Sequence, residues 1–104
     1  MSEIENLTDE NFEATIKEGV TLVDFYADWC GPCRMLAPVI EEVAGEMGDK
    51  AKFAKIDIDQ HQKTASTMQV TSVPTVVLFK DGKEVNRLVG LRDADGIRQF
   101  VGSA

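Results

Sequence analysis

The only two cysteines of the chain stand three positions apart, in Cys30-Gly31-Pro32-Cys33. At that spacing two thiols can close and reopen a disulfide within one helical turn, which is reversible two-electron chemistry. The segment before them, Val20 to Ala27, reads as a strand, and Leu36, Ile40, Val43 and Met47 after them repeat at helical spacing. The pair therefore lies where a strand passes into a helix. Free N–H groups and the positive end of the helix favour a thiolate over a thiol there. Cys30 lies at that end. Cys33, one turn inside, is expected to be the less exposed, so Cys30 is read as the nucleophile and Cys33 as the resolving thiol.

Three plainer readings compete. A structural zinc site needs about four ligands, and beyond the cysteines the chain offers only His61 and scattered carboxylates, without a second short-spaced pair. A structural disulfide closing a loop of about four residues contributes roughly 2 kcal/mol in the chain-entropy model, well below a long loop. Two inert thiols are the third reading, but the helix-start position and the flanking Trp29, Gly31 and Pro32 weigh against it.

The elements that must hold this pair follow from pattern. Thr8 before Asp9 and Glu10 reads as a helix start, with Phe12 and Ile16 on one face and Gly19 as a stop. Both faces of Val20 to Ala27 are largely apolar, as in the centre of an α/β sheet covered on both sides, and Asp24 is the exception. Its face-mates Leu22 and Tyr26 favour a buried carboxyl over a solvated one, and burial raises a carboxyl pKa toward neutrality, where it can exchange protons. Pro32 suits the first turn of the long helix; Pro38 lies inside it, removes one hydrogen bond and predicts a bend. Gly48 stops that helix. Ala51 to Ile58 reads as a second central strand carrying Lys55, a charge partner for Asp24 or an ordinary surface lysine, and Gln60 to Met68 as a short helix. Val73 to Lys80, the turn Asp81-Gly82 and Lys83 to Val89 form a hairpin, and Asp93 caps a last helix with Ile97, Phe100 and Val101 on its apolar stripe. The order is β-α-β-α-β-α-β-β-α, with no residues assigned to the first strand, an α/β fold with a central mixed sheet and helices on both faces.

Length and charge bound the rest. The 104 residues suit one domain, 1–104, and a composition 43% hydrophobic and 28% charged suits a folded chain. A net charge of -7, with the basic residues scattered, opposes nucleic acid. Met1 to Leu7 is acidic and does not read as a secretory signal, and no apolar run reaches membrane-spanning length. The expectation is a cytoplasmic protein without membrane contact, in which any disulfide is transient and catalytic. No dinucleotide-type glycine loop occurs. His61 reads as a surface residue and Met35, Met47 and Met68 as core, all without a role.

The run Ala27-Asp28-Trp29-Cys30-Gly31-Pro32-Cys33, with Asp24 upstream, Pro38 in the helix, Val73-Pro74-Thr75 before a hairpin and Gly90 after it, resembles the thioredoxin family over the full chain. Tyr26 where many members have tryptophan, Asp28 before Trp29, and Arg34 where lysine is common depart from its pattern; they bear on thiol pKa or partner choice. The resemblance implies the thioredoxin fold and a protein-disulfide reductase working in electron transport and redox homeostasis as a monomer. Asp24 would accept the proton of Cys33. Pro74, which as a strand-opening proline needs no such role, would be cis and face the disulfide, with the Val73 backbone pairing with an extended substrate segment. Trp29, by composition as much core as surface, would be exposed, and with Gly31, Pro32, Ile58, Val73, Pro74 and Gly90 would form an apolar docking patch. No cofactor would be bound: the redox group is the cysteine pair, reduced again by a flavin-containing thioredoxin reductase using NADPH. Two other classes stay open, a thiol oxidase or isomerase on the same fold and a non-enzymatic scaffold that holds partners whatever its redox state.

Overall fold

Central strands apolar on both faces leave both sides of a sheet to be covered, and the chain supplies helices to each. The computed structural model describes residues 4–104, so Met1 to Glu3, part of the acidic start, lie outside the described residues. The elements in order are β1 (Ile4–Asn6), α1 (Phe12–Ile16), β2 (Val20–Tyr26), α2 (Gly31–Met47), β3 (Lys52–Asp57), α3 (Gln62–Thr67), β4 (Thr75–Lys80), β5 (Lys83–Val89) and α4 (Ala94–Val101). The sheet runs β1-β3-β2-β4-β5; β3 is parallel to both β1 and β2, and β4 is antiparallel to both β2 and β5. The expected mixed sheet with covered faces is what forms.

One face carries Leu22, Val76 and Leu78 against Leu36, Ile40 and Val43 of α2 and Ile97, Phe100 and Val101 of α4. The other carries Val23, Phe25, Ala54, Ile56, Val77 and Phe79 against Phe12 and Ile16 of α1. Burying each of these large side chains contributes about 1.5–3 kcal/mol, so β2 is anchored from above and below. That anchoring matters because the cysteine pair hangs on the carboxyl end of β2. Arg98 of α4 reaches Glu42 and Glu46 of α2 at 3.1 and 2.6 Å, exposed pairs that orient the two helices more than they stabilise them.

Several boundaries move. Thr8 makes the bonds of a helix start, its hydroxyl accepting from the Asn11 amide at 3.2 Å and its carbonyl from the Phe12 amide at 3.1 Å while Asn11 Oδ1 accepts from the Thr8 amide at 2.8 Å, but residues 9–11 form a turn and the regular helix α1 begins at Phe12. The Asp9 carboxylate accepts from the Thr64 amide and hydroxyl at 2.8 and 2.7 Å. Gly48 ends α2 without adopting a left-handed angle. Pro38 lies within α2, which continues past it to Met47. Val73 and Pro74 precede β4 instead of opening it, since β5 runs opposite Thr75 to Lys80 only. The hairpin turn is as expected: Asp81 and Gly82 both have positive φ, and Asp81 also fastens the turn to Gly19, exchanging backbone and side-chain hydrogen bonds of 2.9 and 2.8 Å. Asp93 caps α4 by accepting from the Gly96 amide at 2.9 Å.

Candidate active site

A strand that ends and a helix that begins within four residues leave the sulfur of the intervening residue beside unpaired helix amides. Cys30 is the N-cap of α2, with an extended backbone (φ -89°, ψ 113°), and its Sγ accepts from the Cys33 amide at 3.2 Å. Its own amide donates to the Ala27 carbonyl at 3.1 Å, which pins the turn to the end of β2. Cys30 and Cys33 are joined as a disulfide, with Cα atoms 5.3 Å apart. Both are 4% exposed, so the expected difference in exposure is absent: the bond draws the sulfurs together into one cluster with Ala27, Tyr26, Ile58 and Val73. Position along the helix, not exposure, separates them. Cys30 alone has the amide donor at the positive end of α2.

Facing the pair is the loop before β4. The Val73–Pro74 bond is cis, and the Val73 carbonyl oxygen lies 3.7 Å from Cys30 Sγ. The residues expected to form a docking patch differ in exposure. Trp29 is 67% exposed, Gly31 and Pro32 are exposed, and Ile58, Val73 and Gly90 are half-buried. Pro74 is buried, and its carbonyl accepts from the Gly90 amide at 2.9 Å. Gly90 has φ +98°, an angle that side chains rarely adopt. Met35, read as core, is instead 61% exposed, two positions beyond Cys33 on the open side of α2. Met47 and Met68 are half-buried, and His61, the half-buried residue before α3, accepts at Nδ1 from the Asp9 amide at 3.4 Å.

Sequence reasoning missed Asp59. Its Oδ2 accepts from the Trp29 indole Nε1 at 2.8 Å and so holds that exposed ring in place. Asp59 is itself set by Asp57, whose Oδ1 accepts from the amides of Asp59 and Gln60 at 2.8 and 3.3 Å. Asp57-x-Asp59 right after a strand is the available signal, since Asp commonly accepts from the amide two residues on and so shapes a turn.

Asp24 is buried at 4% exposure on the α2 side of the sheet, and its Oδ1 has no hydrogen-bond partner among the described residues. Burial pushes its pKa from 3.8 up to about 7, against the lowering pull of Lys55. Lys55 is its register partner on β3, half-buried, with Nζ 5.4 Å from the centre of the Tyr26 ring. Burial also raises the Tyr26 pKa, helped by Asp57, Asp28 and Asp24. A cavity of about 190 Å³ is lined by Asp24, Lys55, Ala37, Ile40, Ile4 and Glu41. Ala37 lies four residues, about one turn, along α2 from Cys33, so the cavity reaches the underside of the cysteine-bearing helix. Glu41, which also lines this cavity, carries no mark in the sequence.

Comparison with known proteins bears directly on this arrangement. The sequence model of the family described as Thioredoxin matches residues 3–103. The chain belongs to the thioredoxin family. It is 49% identical to a thioredoxin of Bacillus subtilis over 90% of each chain, and 45% identical to one of Staphylococcus saprophyticus over 94% of each. A thioredoxin of Chlamydia pneumoniae is 47% identical over 91% of this chain and 92% of its own.

Thioredoxin-family membership makes the chain a thiol-disulfide oxidoreductase whose redox group is its own cysteine pair, acting on disulfide-containing targets. The geometry fits that chemistry: the two sulfurs are joined at the start of α2, with Cys30 at its N-cap. Among the described residues no cluster of His, Cys, Asp and Glu could hold a metal ion, and no helix is long and apolar enough to cross a membrane.

Proposed function

We propose that the chain is a protein-disulfide reductase in which Cys30 is the nucleophile and Cys33 the resolving thiol. The Cys30 thiolate attacks one sulfur of a target disulfide, the other target sulfur leaves as a thiolate and takes a proton, and a mixed disulfide forms. Cys33 then loses its proton, attacks Cys30 Sγ and expels the second target thiol. Two electrons have passed to the target, and Cys30 and Cys33 are left joined.

Asp24 accepts the proton of Cys33 in that second step. A carboxyl with pKa near 7 is divided between its two forms at neutral pH, and the adjoining cavity has room for a water to carry the proton. Lys55 tunes Asp24 by holding its pKa below what burial alone would give. Targets dock as extended segments across Trp29, Gly31, Pro32, Ile58, Val73 and Gly90, pairing with the Val73 backbone, while Pro74 supports that backbone from beneath. The oxidised pair is reduced again by a thioredoxin reductase drawing on NADPH. The chain acts as a single-domain monomer in the cytoplasm.

The observation that carries this reading is the Cys30 sulfur at the α2 N-cap, 3.2 Å from a helix amide and 3.7 Å from the Val73 carbonyl of the facing loop. The test is the reduction potential of the Cys30–Cys33 couple, read by counting free thiols in graded thiol-disulfide buffers. About 30 mV corresponds to roughly 1.4 kcal/mol for a two-electron couple, so reducing and oxidising proteins separate clearly. A potential below the cytosolic glutathione poise is expected. One well above it would make the chain an oxidant or isomerase.

A further inference from the structure

Residues 69–74, the strap between α3 and β4, carry the Val73 carbonyl that faces Cys30, and the two ends of the strap are held by β5 and by the residue that follows it. At the far end the Gly90 amide donates to the Pro74 carbonyl at 2.9 Å. At the near end Arg87 Nη2 donates to the carbonyl of Met68, the C-cap of α3, at 2.8 Å. Glu84 fixes the guanidinium in that position, its two carboxylate oxygens accepting from Nε and Nη2, each at 2.8 Å.

The near end needs holding. The amide of Val70 donates to the Ala65 carbonyl and that of Gln69 to the Ser66 carbonyl, at 2.9 and 3.0 Å, the double closure that commonly ends a helix on a left-handed glycine. Here the left-handed residue is Gln69, with φ +57°, where a side chain is disfavoured by about 1–2 kcal/mol. The closure leaves the Met68 carbonyl turned away from the helix ladder, and a cation at a helix C-terminus is the favourable partner for it. Within the strap, the Thr75 hydroxyl donates to the Ser72 carbonyl at 2.7 Å.

We infer that Arg87 is a positioning residue for target docking: clamped by Glu84, it fixes the start of the strap so that Val73 is presented to an extended peptide beside the Cys30–Cys33 disulfide. The inference rests on the docking mode proposed above and adds to it a residue on the edge strand that touches neither the sulfurs nor the target. Its signature is a loss confined to large substrates.

The test compares wild type, Arg87→Met, Arg87→Lys and Glu84→Gln, each checked for native circular dichroism, in reduction of insulin and of a small aromatic disulfide. Arg87→Met should raise KM for insulin about five-fold with kcat nearly unchanged. The rate with the small disulfide and the reduction potential should stay at wild-type values, which a general loosening of the fold would not leave intact. Arg87→Lys, keeping the charge without the two-pronged grip on Glu84, and Glu84→Gln should fall between. An unchanged KM in Arg87→Met, or an equal loss with the small disulfide, overturns the inference. Should wild type itself fail to reduce insulin, the docking mode and reductase reading fail first. Amide exchange then decides for Arg87 alone: Arg87→Met should speed exchange at Thr71, Ser72 and Val73, and unchanged exchange there overturns its role.

Discussion

Replacing Asp24 by asparagine should change how stability responds to pH more than any other single substitution in this chain. Burial raises the Asp24 pKa from 3.8 to about 7 in the folded protein, while the unfolded chain keeps the ordinary value. The folded state therefore binds the Asp24 proton more tightly than the unfolded state does. The resulting stabilisation is complete below about pH 4 and is lost as pH rises toward about 7, because folding must then bury a charge. Each pH unit between those limits is worth about 1.4 kcal/mol, so the contribution lost is about 4 kcal/mol, an upper figure for a site that a little water can reach. Asparagine at this position carries no charge to bury. The assay is urea unfolding of both proteins from pH 4 to pH 8.5, plotted as the difference in stability so that other titrating groups cancel. The variant should gain on wild type by up to about 4 kcal/mol across the series, with a slope near 1.4 kcal/mol per pH unit at its steepest. The same variant should release reduced target more slowly near neutral pH, since the acceptor for the Cys33 proton is gone. A stability difference that stays flat from pH 4 to pH 8.5 would refute the buried-carboxyl argument, and an unchanged release rate would remove Asp24 from the second step.

Two further outcomes test the division of labour around the disulfide. Cys33→Ser should accumulate a covalent adduct with a disulfide-containing target through Cys30, visible by intact-protein mass spectrometry, whereas Cys30→Ser should not; the reverse pattern would exchange the two roles. Asp59→Ala should free the Trp29 ring, raising KM for a protein disulfide roughly three-fold and shifting tryptophan emission, while Asp59→Asn, which keeps an acceptor oxygen, should stay near wild type.

Much of the site is readable along the chain because its chemistry is local. A thiol pair spaced by one turn, at the start of a helix announced by Leu36, Ile40 and Val43, contains both the redox group and the amides that polarise it. The Asp81-Gly82 turn and the Asp93 cap are equally local, each set by residues within three positions. Asp24 stands out for a related reason, as the one charge in a strand apolar on both faces.

Other features depend on partners distant in sequence. Asp9, readable only as part of a helix start, ties that first turn to α3 by accepting from Thr64 across the fold. Asp59 meets Trp29 only because β3 lies beside β2, so their carboxyl ends place two loops together. Pro74 is hidden, and Met35 laid open, by what does or does not cover them.

The order of the elements after β1, the reactive pair and the singling out of Asp24 are thus properties of the chain alone, because periodicity, capping and thiolate stabilisation act within one or two turns; β1, three residues long, is defined by its pairing with β3. Folding adds which sulfur faces Val73, how far burial moves the Asp24 pKa, and the grip of Glu84 and Arg87 on the loop opposite the disulfide. Those depend on solvent exclusion and on contacts between residues far apart in the chain, quantities that exist only once the sheet has formed and its faces are covered.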